Sequence, residues 1–515
     1  MSTFLGKIFL QFFFAFTTWS EPHLSISQKA GQMMMVGLRG PELTQEEEIL
    51  LRKIQPGAIL IFERNIRDLR QLSSLNRRLD QILRAEKSWF PLIALDQEGG
   101  RVVRVRTSPS FPSPRAFGLL SDPSIAIQYW NEIHWLLRSL GFHMNLAPVL
   151  DVLPESGRSF IRDRAFSSDE KKVASMGVSF AMSAIQSKII PTAKHFPGSG
   201  HVEQDPHFQL TEARAISAEE LYSGLSPFRV FADLQPSAMM LSHIIYPNLE
   251  PSRVPATYSP LISRNLLREK WGYRGLIITD DLQMKGAHKS QDLGSLAVKA
   301  LRSGSDLVMV SWSLQDQMRV HKAIEESMHS GELSSSEVFE KMDRLRSSKN
   351  LVQWNRERPP FAHSKGRVYS SARLRELDQK MLDANWSRAI RKLGKPWPKD
   401  AYWTVLSQTP QFGKILQSRL EHVRRTWTFQ QKMGTEPPDL SAKEHLLVAV
   451  TRPEQWKWIQ TWSSEVKKKT LVLLLADVTM GDNQEPPTWR IELFHPHQGL
   501  APKLTQLLSP SAKAE

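Results

Sequence analysis

The chain has 515 residues, 41% hydrophobic and 23% charged, with a formal net charge of +14 and no cysteine. That length exceeds one ordinary domain and suits a large barrel with a smaller companion and a sizeable core. The missing cysteine excludes disulfides, thiolate catalysis, iron–sulfur clusters, cysteine-ligated zinc and a lipid-anchored N-terminal cysteine.

Residues 1–23 read as a segment apart from the fold. Lys7 precedes an apolar run, Ile8 to Phe16, broken only by Gln11. This length suits the core of a signal peptide and is too short to span a membrane. No other stretch approaches transmembrane length, so no integral span is expected. The expectation is export to the periplasm or cell envelope; an uncleaved interfacial segment or a cytoplasmic protein is the alternative.

From Leu24 onward, short apolar runs alternate with helical patterns. GQMMMVGL (31–38) is followed by LTQEEEILLRKI (43–54), a helix with an acidic start. The runs continue as GAILIF (57–62), PLIALDQ (91–97), FHMNLAPVLDV (142–152) and IIPTAKHF (189–196). A second helix, SAEELYSGLSPFRVFADL (217–234), has Ser217 and Glu220 spaced as a capping box. SAMMLSHIIY (237–246), GLIITDD (275–281) and DLVMVSW (306–312) complete the series. Eight β/α units in about 330 residues fit a (β/α)8 TIM-type barrel of the α/β class, over residues 24–350. A doubly wound open sheet is the alternative, but no G-x-G-x-x-G or Walker pattern accompanies it.

Asp96, Asp151, Lys194, His195, His243 and Asp280 each lie at or just after the end of an apolar run. Barrel active sites form where strands end, so these positions are expected to share one mouth. Asp280 closes LIIT as a nucleophile, metal ligand or cap, and Asp281 is the expected cap of the next helix. Metal-ligand spacing such as HExxH is absent, so no metal is expected.

The loop KHFPGSGHVEQDPH (194–207) holds three histidines, a lysine, two acids and two glycines. Glu203, Asp205 and His207 are its candidate proton donors. Residues i and i+2 share a side in extended chain, and Pro206 favours extension at Asp205. Asp205 is thus placed to orient the His207 ring, whose ordinary pKa of about 6.5 suits proton transfer. Gly198 and Gly200 are expected to let the loop turn and move.

KHFPGSGHVEQDPH resembles the KHFPGHG…DSH signature of glycoside hydrolase family 3, in its bacterial β-N-acetylglucosaminidase branch. DQEGGRVVRV (96–105), RDRAF (162–166) and ITDDLQM (278–284) resemble three further family segments, in the same order, across roughly residues 28–350. The resemblance implies Asp280 as nucleophile and His207 as acid–base with Asp205 orienting it. It implies Asp96, Arg104, Arg164, Lys194 and His195 as binders of N-acetylglucosamine. The implied reaction is retaining, exo-acting hydrolysis of peptidoglycan-derived N-acetylglucosaminides, without cofactor. A phosphorylase and an inactive wall-binding homologue are the alternatives. Ser199 and Pro206 depart from the signature.

The positive charge favours anionic partners. No zinc-finger, RNP or basic-helix pattern marks a nucleic-acid binder; an acidic wall polymer is one candidate, and a basic surface with no specific polyanion is the equal alternative. Residues 351–370 read as a linker. Beyond it, a helical stretch (371–394) and the strands AYWTVLS, HLLVAVT, KTLVLLLAD and RIELFH suggest a smaller α/β domain over 371–515. It resembles, weakly, the α/β sandwich domain of two-domain family members, and is expected to support the fold or to touch the wall. Trp456, Lys457, Trp458 and the lysines at 467–469 are the candidate wall contacts, but buried tryptophans and a solvated lysine turn are the expected reading of them.

Overall fold

The computed structural model describes residues 24–85, 89–107, 111–154, 159–202, 204, 206, 209–213, 217–287, 292–353, 372–374, 376–377, 380–381 and five strands beyond residue 400. Residues 1–23, Glu203, Asp205, His207, Trp456, Lys457, Trp458, the lysines at 467–469 and nearly all of 351–370 lie outside these.

Local chemistry starts the helices. Capping boxes open α1 (Ile26–Gln32) at Ser25 and Gln28, and α2 (Gln45–Ile54) at Thr44 and Glu47. Between them runs β1 (Met34–Gly37). β2 (Ala58–Ile61), α3 (Leu69–Ala85) and β3 (Leu92–Leu95) follow. Next come α4 (Pro114–Gly118), α5 (Ser124–Ser139), β4 (Met144–Asn145), α6 (Glu170–Gln186) and β5 (Ile190–Phe196). After the short β6 (Thr211–Glu212), the expected Ser217–Glu220 box opens α7 (Ala218–Phe231). β7 (Ala238–Leu241), β8 (Ile244–Ile245) and β9 (Leu276–Asp281) precede α8 (Leu293–Ser303), β10 (Leu307–Val310), α9 (Leu314–His329) and α10 (Ser335–Val352).

Eight of these strands close a barrel in the order β1-β10-β9-β7-β5-β4-β3-β2, all neighbours parallel. Each of the eight apolar runs supplies one barrel strand. Their side chains are buried almost throughout, as parallel strands covered by helices require. The architecture is a (β/α)8 barrel of the TIM type.

Two runs behave differently from their length. FHMNLAPVLDV yields only two ladder residues, because Pro148 has no N–H to give. The chain still follows its neighbours, with Leu146 donating to Leu95 and Leu150 to Lys194, both at 2.8 Å. SAMMLSHIIY splits into β7 and β8, and β8 pairs with β6 in a separate small sheet.

The N-terminal end of the barrel is locked by Asp306, at the start of β10. Its buried carboxylate accepts from Arg268 at 2.5 Å, Arg344 at 2.9 Å and the Ile277 N–H at 2.8 Å. Burial opposes its charge, but the two guanidinium groups and Lys341 outweigh burial and hold its pKa below the usual value.

A five-stranded sheet lies beyond residue 400: β11 (Tyr402–Ser407), β12 (Val423–Thr428), β13 (Glu444–Val450), β14 (Thr470–Leu475) and β15 (Ile491–Phe494). Its order is β12-β11-β13-β14-β15, with only β15 antiparallel. Four strands match the sequence expectation; β12, VRRTWT, was missed because paired arginines break its apolar pattern. Leu374, Leu377 and Met381 join the hydrophobic cluster of the barrel, and Arg373 donates to Gln128 of α5 at 2.6 Å. Among the described residues no helix is long and apolar enough to cross a membrane.

Asp306→Ala leaves two largely buried guanidinium groups without their carboxylate. It is expected to lower stability by about 3–5 kcal/mol, read as a fall in the urea midpoint. A fall below about 1 kcal/mol would count against this lock.

Candidate active site

The site starts where β3 ends. Asp96 and Glu98 stand two residues apart, with Gln97 between them. The Gln97 carboxamide oxygen accepts from the N–H groups of Arg104 and Val105, each at 3.0 Å, and its nitrogen donates to Val105 O at 2.8 Å. This ties the 104–105 segment to the strand end. The Arg104 guanidinium then reaches Asp96 at 3.4 Å.

Glu98 is the centre of the ion-pair network. One oxygen meets Lys194 Nζ at 2.7 Å, and both accept from Arg164 at 2.8 Å. Lys194 also donates to Asp96 at 2.7 Å. Burial works against all four charges, yet each partner overrules it. The pKa values of Asp96 and Glu98 are held below normal by their cations, and those of Lys194 and Arg164 above normal by the carboxylates.

β5 supplies two adjacent residues to this network, Lys194 and His195. In a regular strand neighbours point to opposite faces. Here the register against β7 shifts between Ala193 and Phe196, so the strand is bulged at that point. His195 Nδ1 donates to Asp151 at 2.8 Å, and its Nε2 lies 3.3 Å from Arg164 Nη2. Since guanidinium only donates, the ring is the Nδ1–H tautomer with Nε2 accepting. Asp151 also accepts from the backbone N–H of Ser199 at 2.6 Å. The first half of the 194–207 loop is therefore pinned. A Cβ on Gly200 would lie 1.7 Å from Val152 O, so this glycine permits close packing rather than the motion expected of it.

β9 carries the acidic pair. Its register against β10 also shifts, between Leu307 and Met309, so Asp280 sits in a second irregular stretch. Asp280 is half-exposed and accepts the Asp281 N–H at 2.8 Å. Asp281 is buried, and its carboxylate accepts from the Ser311 hydroxyl and from the Gln283 N–H at 3.0 Å. It caps a turn, not the following helix: α8 begins twelve residues later and is capped by Asp292. His243, just past β7, donates from Nε2 to the Asp281 carbonyl at 3.0 Å, and its Nδ1 meets Thr257 Oγ1 at 2.8 Å. It props the acidic segment through its backbone.

The loop reaches that segment too. Pro206, between Asp205 and His207, accepts the Gly286 N–H at 3.0 Å, six residues past Asp280. A Cβ on Gly286 would come within 2.4 Å of that oxygen, so only glycine allows the approach. Asp205 and His207 themselves lie outside the described residues.

Asp96, Arg104, Arg164, Lys194 and His195 are thus one connected cluster, and Asp280 ends a strand of the same barrel. Sequence reasoning missed Glu98, Thr257 and Ser311. Glu98 had a usable signal, its i+2 spacing from Asp96. Among the described residues no group of three His, Asp or Glu is arranged to hold a metal.

Residues 25–347 match the glycosyl hydrolase family 3 N-terminal domain. The chain belongs to glycoside hydrolase family 3. This family 3 hydrolase is 34% identical to a beta-hexosaminidase of Bordetella parapertussis over 285 residues, 54% of this chain and 79% of the relative. A beta-hexosaminidase of Idiomarina loihiensis is 32% identical over 282 residues, 54% of this chain and 83% of the relative. A family 3 β-N-acetylglucosaminidase structure from Paenibacillus superposes with a TM-score of 0.73 at 25% identity, covering 88% of this chain and 91% of that one.

In this glycoside hydrolase the two adjacent carboxylates differ electrically. Burial, reinforced by the Asp280 charge, pushes Asp281 up to about 6, against its hydrogen bonds from Ser311 and Gln283. A raised carboxyl pKa means that the folded state binds the proton more tightly than the unfolded state. Its contribution is fully present below pH 4 and lost as pH rises through 6. Asp281→Asn keeps a donor and an acceptor without the charge. Its stability relative to wild type is expected to rise by up to about 3 kcal/mol between pH 4 and pH 7. Paired urea melts at the two pH values measure this; a pH-independent difference would contradict it.

Proposed function

We propose that this hydrolase removes terminal β-linked N-acetylglucosamine from peptidoglycan fragments with retention of configuration. The observation that carries the reading is the Pro206–Gly286 contact, which joins the loop of Asp205 and His207 to the segment of Asp280. The beta-hexosaminidase names of the relatives support the sugar.

In this mechanism the hydroxyls of the terminal sugar pair with Asp96, Lys194 and Arg104, with Arg164 and His195 completing the pocket wall. The Asp280 carboxylate attacks the anomeric carbon as the glycosidic C–O bond breaks. The departing oxygen takes the proton of His207, whose ring Asp205 orients. A glycosyl ester on Asp280 results. Neutral His207 then takes a proton from water, whose oxygen attacks the same carbon and releases the Asp280 carboxylate. Asp281 already has both oxygens engaged by Ser311 and Gln283. That favours Asp280 as nucleophile over an acid pair assisting the substrate's own acetamido group.

The reading also assigns catalysis to residues 24–350, with 351–370 as a linker. It makes 1–23 an export leader to the envelope and 371–515 a supporting or wall-contacting α/β unit.

Asp280→Ala is expected to cut nitrophenyl β-N-acetylglucosaminide turnover by at least about a thousandfold, with its melting temperature near that of wild type. Wild type should favour this substrate over the glucoside, release the β-anomer first, and show no dependence on phosphate. Near-normal turnover by the variant, an α-anomer, or a phosphate requirement with sugar phosphate as product would refute the mechanism.

A further inference from the structure

Trp312 lies two residues past β10, on the side of the barrel where the site is built. Its indole is 61% exposed. By contrast Trp130 is buried, and Trp89, Trp135 and Trp271 are half-buried. A tryptophan carries a large apolar area and is ordinarily covered.

Yet this residue is held firmly. Its backbone N–H donates to Gln283 Oε1 at 2.8 Å, and Gln283 is three residues past Asp280. The preceding residue, Ser311, is the one whose hydroxyl bonds Asp281. One indole face receives the Arg64 guanidinium, 4.1 Å from the ring centroid, and the same guanidinium lies 4.2 Å from the Phe62 centroid. The Phe62 and Trp312 rings are 5.5 Å apart. Arg64 is itself anchored to Leu38 O at 2.9 Å and Ser311 O at 3.0 Å. On the other flank, the guanidinium of Arg104, the partner of Asp96, lies 5.7 Å from the Phe62 ring. Phe62, Arg64 and Trp312 thus form a braced platform along the rim, running from the Asp96–Arg104 pair to the Asp280–Asp281 pair.

We propose that Trp312 is the stacking surface for the leaving group, and that the leaving group it fits is a pyranose ring. This rests on the reaction assigned above. A pyranose presents an apolar face of C–H bonds, and an aromatic face is electron-rich, so the two stack favourably. The cation behind the ring fixes its angle and leaves one face to the substrate. The terminal sugar is held by charged groups deep in the mouth, while the next ring along rests on Trp312.

The test uses the full-length protein with two substrates: the β-1,4-linked N-acetylglucosamine disaccharide, and N-acetyl-β-glucosaminyl fluoride, whose leaving group has no ring. The readout is the ratio of kcat/KM for disaccharide over fluoride. Trp312→Ala is expected to lower that ratio about tenfold, the size of one aromatic contact. Trp312→Phe should restore most of it. A general loss of folded protein lowers both rates together and leaves the ratio alone. If wild type cleaves both substrates and Trp312→Ala keeps the wild-type ratio within about twofold, this inference fails while the assigned reaction stands. If wild type cleaves neither, both fail.

Discussion

The site depends on Glu98. It sits in the barrel mouth with Lys194 on one oxygen and Arg164 bridging both, each near 2.8 Å. Two cations without this carboxylate would be severely penalised in so dry a place. With it, the cluster keeps a fixed charged surface at the mouth. Asp96 extends it outward to Arg104, and Arg164 extends it sideways to His195 and Asp151. Preorganisation of this kind is how a protein spends folding energy on binding.

The strands deliver these groups by departing from regularity. β5 and β9 both shift register near the mouth, at Lys194–His195 and around Asp280. A regular strand would send every second residue outward into the helical layer. His243 and Asp151 then hold backbone in place, the first through the Asp281 carbonyl, the second through the Ser199 N–H. At the opposite end of the barrel Asp306 does a purely structural task with similar chemistry. Buried ion pairs alone therefore do not mark a site; their place at the strand C-termini does.

The eight barrel strands were legible because each is a short apolar run bounded by polar residues, and the alternation with helices fixed the class. The ladder of β4 was shorter than its run because proline interrupts pairing, and β12 was hidden by Arg424 and Arg425. The members of the charged cluster, Asp96, Arg104, Arg164, Lys194 and His195, all fall within the four ordered motifs. What the motifs could not convey was who holds whom. Asp281 looked like a helix cap by local rule, whereas its partner Ser311 is thirty residues away. Gly200 looked like a hinge, whereas Val152, far along the chain, sets its need. Long-range contacts of this sort leave no local pattern.

A crystal structure with N-acetylglucosamine bound would test the central claim most directly. The account predicts sugar hydroxyls on Asp96, Lys194 and Arg104, the Glu98 ion pairs unchanged, and the anomeric carbon facing the Asp280 carboxylate. A sugar seated elsewhere, or one whose anomeric carbon faces away from Asp280 while the cluster opens to admit it, would contradict the account.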